Sequence, residues 1–302
     1  MFIVFDTETT GLPKNWNAPV SDSDNWPRCI QLAWQLHDEN GKLINNKSFL
    51  IKPVDFDIPY ESEKVHGIST ELAKQDGVDL SYVIDKFLFD LDKAKYLVGH
   101  NVKFDINIIA AELYRLGIVS KFSDLKVIDT CTETTANLCK IKGGRAGKFK
   151  YPTLIELYDF LFNDSFDQAH NASADVEATA RSFLELIRSN ILSNIDFENF
   201  EKINNALNEE NKSKVPLFGL KHINLKEASS KLKVNKKPES QETSKSSSSK
   251  SINIPYIHLH NNSQFSVLQS TSKIADLVKK TAEFNMSAVA ITDKANMMGA
   301  FH

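Results

Sequence analysis

The sequence predicts an α/β fold built on a mixed sheet of five strands flanked by helices, and three observations predict it. Short apolar runs with strand character open the chain as a meander. Later runs of the same kind alternate with longer segments of helical spacing, the order of a layered α/β structure. A Lys/Ser-rich stretch then precedes a shorter block of mixed strand and helix signals.

The opening FIVFD is a buried strand, and CIQLAWQLHD (29–38) and KLINNKSFLIKP (42–53) are two more, joined at a Gly turn. DLSYVIDKFLFDL (79–91) has apolar residues at helical spacing. YLVGH (96–100) is a fourth strand and LKVIDT (125–130) a fifth, with the helix VKFDINIIAAELYRLG (102–117) between them and Gly117 as its stop. TLIELYDFLF (153–162) and ASADVEATARSFLELIRSN (172–190) are the last strong helices of this region, taken as domain 1–190. A helical or extended connector follows over 191–226, with an amphipathic helix expected in 196–210. Residues 227–251 hold no aromatic residue and too little apolar surface to offset their ordering entropy, which predicts a flexible linker. Removing everything from residue 195 onward is therefore expected to leave the first domain intact. Beyond the linker, INIPYIHLH (252–260), a helix over 273–284 and a strand AVAIT (288–292) begin an α/β segment, 252–302, that the chain leaves truncated at His302.

Composition narrows the function classes. The chain has 302 residues, 41% hydrophobic and 25% charged, with a formal charge of −3. A protein that only coats nucleic acid carries a clear positive excess, so a pure coating role is disfavoured. An enzyme whose carboxylates hold divalent metal fits, since the metal supplies the positive charge. No apolar run approaches the ~20 residues of a membrane span, and MFIVFDTETT lacks the basic start of a signal peptide. Cys29, Cys131 and Cys139 lack metal-type spacing and are read as reduced thiols of a cytoplasmic protein.

Three segments carry chemistry. The first strand ends in Asp6-Thr7-Glu8-Thr9-Thr10-Gly11-Leu12. Residues i and i+2 of an extended chain share a face, so Asp6 and Glu8 point at one spot. Two carboxylates that close repel without a cation between them, and hard oxygen donors suit Mg²⁺ or Mn²⁺. The bland alternative is a polar strand end before a Gly turn. In Gly99-His100-Asn101-Val102-Lys103-Phe104-Asp105 a strand passes into a helix whose first turn holds Asp105. In His170-Asn171-Ala172-Ser173-Ala174-Asp175 another helix starts at Asp175, with His170 able to take a proton near neutrality. Taken singly, both aspartates read better as helix caps.

The order and spacing of these segments closely resemble the DEDDh family of 3′→5′ exonucleases: Asp-x-Glu with Thr-Gly after it, Asn-x-x-Phe-Asp, then His-x-Ala-x-x-Asp. The resemblance extends to Val65-His66-Gly67-Ile68, Asp129-Thr130 and Leu154–Tyr158, and within the family it takes in proofreading epsilon-type subunits of bacterial DNA polymerase III. It implies a ribonuclease H-like fold and a two-metal mechanism with ions ~4 Å apart. It implies Asp6, Glu8, Asp105 and Asp175 as metal-holding catalytic carboxylates and His170 as the base that takes a proton from the attacking water. Thr7, Thr9, Leu12, His66 and Asn101 would bind the substrate, a single-stranded or frayed DNA 3′ end released as nucleoside 5′-monophosphates. His100 has a helix-start role as its simpler explanation.

The tail, Pro255–Leu268 with Ile291-Thr292-Asp293, resembles the start of the polymerase and histidinol phosphatase (PHP) domain of the polymerase III alpha subunit. The chain then reads as a proofreading nuclease joined ahead of a replicative polymerase. Asn262 and Lys294 stand where the metal-binding form of that domain has histidines, so His260 and Asp293 are expected to be packing or hydrogen-bonding groups. Val215–Leu220 could dock on a sliding clamp or pack on the nuclease domain. Two other readings of the chain remain open at this point: a DEDDh ribonuclease trimming RNA, and a non-catalytic polymerase-tethering module.

Overall fold

Strand β1 (Phe2–Thr9) alternates its side chains between two cores, and that alternation organises everything around it. Phe2 and Val4 enter one core, and Ile3 and Phe5 the other. In the computed structural model, which describes residues 1–144, 147–166, 170–193, 195–210, 213–235, 263, 273–283 and 288–293, β1 is the centre of a five-stranded sheet. Its neighbours are β2 (Cys29–His37), antiparallel, and β4 (Tyr96–Gly99), parallel. β3 (Leu43–Leu50) extends the sheet beyond β2, and β5 (Lys126–Asp129) extends it in parallel beyond β4, in the order β3-β2-β1-β4-β5. This is the mixed sheet that the alternation of strands and helices predicts. β2 is buried along its whole length because helices cover both its faces, whereas edge strand β3 is less buried and alternates along its length.

Between β3 and β4 run α1 (Tyr60–His66), α2 (Thr70–Asp76) and α3 (Leu80–Leu91). Then α4 (Lys103–Leu116) leads to β5, and α5 (Glu133–Cys139), α6 (Leu154–Phe162), α7 (Ala172–Arg188) and α8 (Phe200–Glu210) follow. α3 and α4 pack on the Ile3/Phe5 face, α6, α7 and α8 on the Phe2/Val4 face. α4 starts abruptly because Asp129 at the end of β5 accepts the Asn101 and Val102 backbone N–H groups. Gly99 permits the turn, since a Cβ there would lie 2.5 Å from Val102 Cγ2. His100 ties Thr130 to the Pro152 carbonyl, an architectural role.

The structure differs from the expected linker at its start. Residues 225–235 form a helix, α9 (Leu225–Asn235), rather than free chain. Leu225, Ala228 and Leu232 fall at helical spacing and enter a third core with Ile30, Ile58, Ile68, Leu72 and Ala73. Ser229 is buried, donates to the Gly67 carbonyl and accepts the Ser69 N–H. Gly67 adopts φ +79°, and a Cβ on it would lie 2.4 Å from Lys226 Cγ, so only glycine lets α9 dock. The compact unit consequently runs Met1–Glu239, and Phe197, Phe200, Ile203, Leu207 and Val215 all enter its core. The premise that nothing after residue 195 contributes to the core of this unit is thereby corrected.

The second unit, Ser240–His302, is described at only a few residues. Its α10 (Ile274–Glu283) is the helix expected there. Asp293 accepts hydrogen bonds from Ser263 N at 2.7 Å and Ser263 Oγ at 2.6 Å. The expected strand at 288–292 appears as a single bridge at Val289, and 252–260, with His260, Asn262 and Lys294, lies outside the described residues.

Candidate active site

The alternation of β1 also builds the site. Asp6 and Glu8 share the Phe2/Val4 parity, so they emerge on the side covered by α7. α7 begins beside the end of β1 and brings Asp175 in its first turn. One carboxylate oxygen from each of Asp6, Glu8 and Asp175 lies within 4.8 Å of the others. Thr7 has the opposite parity and meets α4. Its N–H and hydroxyl both donate to Asp105 Oδ1, at 3.0 and 2.7 Å. Asp105 therefore stands across the strand end from α7, outside the three-oxygen group but close enough to act on it electrostatically. The location is the crevice beyond the carboxyl ends of β1 and β4, where the chain leaves the sheet in opposite directions.

Electrostatics mark the group as incomplete by itself. Burial first, then the charges of Asp105, Asp175 and Glu8, push the Asp6 carboxyl well above its ordinary range. Burial and then Asp175 and Asp105 do the same to Glu8. Burial lifts Asp105 to about 7 against the two hydrogen bonds from Thr7. It lifts Asp175 to about 7 against the hydrogen bond from the His170 backbone. Carboxylates this close stay charged together only with a cation among them, and an all-oxygen donor set fits a hard divalent ion.

Around this group the other sequence-predicted residues take distinct places. His170 is exposed, with φ +67°, and its backbone N–H turns onto Asp175 Oδ2 at 3.0 Å. The surrounding protein mass, then the charge of Lys226, holds its ring below 6.5. His66 is buried: Nδ1 accepts the Ile68 N–H, which puts the proton on Nε2, and Nε2 has no partner meeting hydrogen-bond geometry. Burial lowers its pKa to about 4, and His170 lies near enough to be felt. Thr9 closes its own turn by donating to the Gly11 carbonyl, Leu12 is 72% exposed, and Asn101 is exposed in the left-handed region at the start of α4.

Sequence reasoning offered packing of Val215–Leu220 on the nuclease domain as one alternative, but not the strap that runs from residue 213 into α9. It covers Glu177, Arg181 and Glu185, a charged stripe at helical spacing that ordinarily faces solvent. Here all three are buried because the strap satisfies them. Val215 N–H donates to Glu185, Phe218 N–H and His222 Nε2 engage Glu177, and Arg181 Nε donates to the Val215 carbonyl. The stripe itself was the available signal. Val215 and Phe218 are thus committed to packing, with Phe218 against the His37 ring. The strap also delivers Lys226 to the site's flank.

Comparison with known proteins adds to this geometry. A family model described as an exonuclease matches residues 3–183. The chain belongs to that exonuclease family. Asp6, Glu8, Asp105 and Asp175 lie within the matched span, and the strap and α9 lie outside it. Residues 258–302 match the PHP domain model. The chain is 29% identical over 186 residues to the 3′-5′ exonuclease DinG of Bacillus subtilis, across 62% of this chain and 17% of that protein. It is 27% identical over 186 residues to the DNA polymerase III subunit epsilon of Rickettsia conorii, across 61% of this chain and 73% of the relative. A solved structure of exonuclease I has a TM-score of 0.50 at 20% identity, covering 66% of this chain and 42% of that one, a likeness of fold. The exonuclease family's ribonuclease H-like sheet is the one seen here. Among the described residues, no helix is long and apolar enough to cross a membrane.

Proposed function

We propose that this chain is a 3′→5′ exonuclease that removes nucleoside 5′-monophosphates from DNA ends. The observation that carries the reading is the convergence of Asp6, Glu8 and Asp175 within 4.8 Å, beside exposed His170. Asp6, Glu8 and Asp175, with Asp105 clamped by Thr7, would hold Mg²⁺ or Mn²⁺, as two ions. When bound, such ions neutralise the carboxylates, align the scissile phosphate and stabilise the leaving 3′ oxygen. His170, neutral at physiological pH, takes the proton of the attacking water on its ring nitrogen. The Asp175 carboxylate fixes the His170 backbone and so sets where that ring is presented. Thr9, Leu12, His66 and Asn101 border the space for the terminal nucleotide.

The match of the tail to the PHP model and the likeness to an epsilon subunit support a proofreading role. On that reading the nuclease is joined ahead of a polymerase III alpha-type chain, with 252–302 as the start of its PHP domain. Val215 and Phe218 are assigned to packing rather than to a sliding clamp, because their backbone N–H groups and apolar side chains are engaged. The test is hydrolysis of 5′-labelled single-stranded DNA and RNA of matched sequence with Mg²⁺, Mn²⁺ or chelator. Stepwise shortening of DNA from the 3′ end, abolished by chelation, is expected. Internal cleavage or metal-independent turnover would reject the reading, and preference for RNA would move the substrate assignment.

A further inference from the structure

The loop between β1 and β2 presents a tryptophan that the chemistry above does not use. The chain has three tryptophans. Trp26 and Trp34 are buried, and their indole N–H groups donate to the Pro19 carbonyl and to Asp90. Trp16 is 51% exposed, and among the described residues its indole makes no hydrogen bond.

An exposed indole on a slack loop would mean little, but this loop is tied down on both sides of it. The buried Asn25 accepts the Asn15 N–H at 2.7 Å and donates to the Asn15 carbonyl at 3.0 Å. Lys14 N–H donates to the Asn25 carbonyl, and Asn17 N–H to Asn15 Oδ1. Trp16 is therefore held out from a pinned backbone, so little ordering entropy is left to lose when something lands on it.

Its position is specific. The Trp16 ring lies 5.8 Å from that of Phe104, the residue next to Asp105. Leu12, in the same loop, is also exposed. Lys14 and Lys103 flank this apolar strip as exposed cations. An aromatic face interleaved with cations at the rim of a carboxylate centre has the make-up of a single-strand platform, in which rings stack bases and ammonium groups hold phosphates.

We propose that Trp16 is a base-stacking residue that grips a nucleobase close to the 3′ end of the substrate strand. The inference deepens the exonuclease reading and rests on it for the identity of the ligand. Stacking is indifferent to base identity, because every base has a π face. Trp16 thus supplies affinity and positioning without sequence choice.

The experiment uses the full chain and oligo(dT), with Ca²⁺ in place of Mg²⁺, and reads tryptophan fluorescence. Because the other two indoles are buried, titration should quench emission from Trp16, and Trp16→Phe should abolish the quenching while keeping most of the affinity. Trp16→Ala should raise the dissociation constant roughly fivefold to hundredfold, as expected for losing one stacked base. It should leave the melting temperature unchanged, since the side chain is exposed. Abasic nucleotides placed in turn at the last three positions should weaken wild-type binding at one of them by a similar factor. At that position they should add nothing to Trp16→Ala. Undiminished affinity in Trp16→Ala, or abasic and protein effects that multiply at every position, would overturn the assignment. Hydrolysis of the same oligonucleotide in Mg²⁺ reads the parent function separately. Hydrolysis without quenching sinks the Trp16 role alone, and quenching without hydrolysis supports it while sinking the nuclease reading.

Discussion

Stripping divalent metal from this protein should make its stability depend on pH in a window where most proteins show little change. Asp105 and Asp175 titrate near 7 in the native structure, chiefly because they are buried. In the unfolded chain an aspartate titrates near 4. Between about pH 4 and 7 the metal-free native state therefore holds protons that unfolding releases. The stability they confer is fully present below the unfolded value and is lost as pH rises through the folded one. For one carboxyl lifted from 3.8 to about 7 the change is about 4 kcal/mol. About 3 kcal/mol of that falls above pH 5, and at roughly 2–4 °C per kcal/mol for a unit of this size each such carboxyl contributes a fall in melting temperature on the order of 10 °C between about pH 5 and pH 8. Asp90 does not interfere: although its burial opposes it, hydrogen bonds from Lys47, Trp34 and Lys93 hold it low, so its contribution is lost only in stronger acid. The buried His37 and His66, lowered to about 4, act in the opposite sense: they gain protons on unfolding, so their contribution grows as pH rises toward about 6.5 and offsets part of the fall in chelator. The assay is thermal unfolding across this range with chelator and with saturating Mg²⁺ or Mn²⁺. The metal-induced rise should be small at the acidic end and large at the alkaline end, because binding displaces more protons where more are held. Asp6→Asn should relieve repulsion and raise the chelated melting point at alkaline pH. An equal metal increment at both ends would refute the reasoning.

Other outcomes follow from the same geometry. Asp6→Ala or Asp175→Ala should abolish hydrolysis while leaving the circular dichroism spectrum unchanged, and residual turnover with metal supplied would contradict their role. His170→Ala should lower kcat by roughly 10²–10⁴-fold, with the smallest deficit in alkaline buffer; a wild-type rate across the neutral range would remove it as the base. Ending the chain after residue 235 should preserve a folded nuclease. Ending it after 195 should expose the groove that Val215 and Leu225 fill and leave Glu177 and Glu185 buried in part without partners, costs comparable with the whole stability of a domain. Limited proteolysis and activity of the two fragments would check this.

Much of the site was legible because it depends on local periodicity. The i, i+2 spacing of Asp6 and Glu8 in a strand places both on one face whatever surrounds them. The helix starts at Asp105 and Asp175 follow from the chain's turn and apolar signals, and the resemblance joined those local features into one constellation. The same period explains why Thr7 turns to α4 and holds Asp105. The mixed sheet was legible in the alternation of apolar runs.

Tertiary structure decided what depends on a partner surface. Among the described side chains, residues 225–235 place Leu225, Ala228 and Leu232 as apolar anchors in a polar helix, too little for a core of their own. They order because β2, α2 and the residues flanking α1, Ile58 and Ile68, offer a groove, and because Gly67 leaves room for Lys226. Glu177, Arg181 and Glu185 look like a solvated stripe until the strap's N–H and carbonyl groups satisfy them. Trp26 and Trp34 are buried while Trp16 stands in solvent beside Phe104, a distinction that composition cannot make. Burial and hydrogen-bond satisfaction are properties of surfaces that meet in space, and a one-dimensional pattern reports only the half of each contact that it contains.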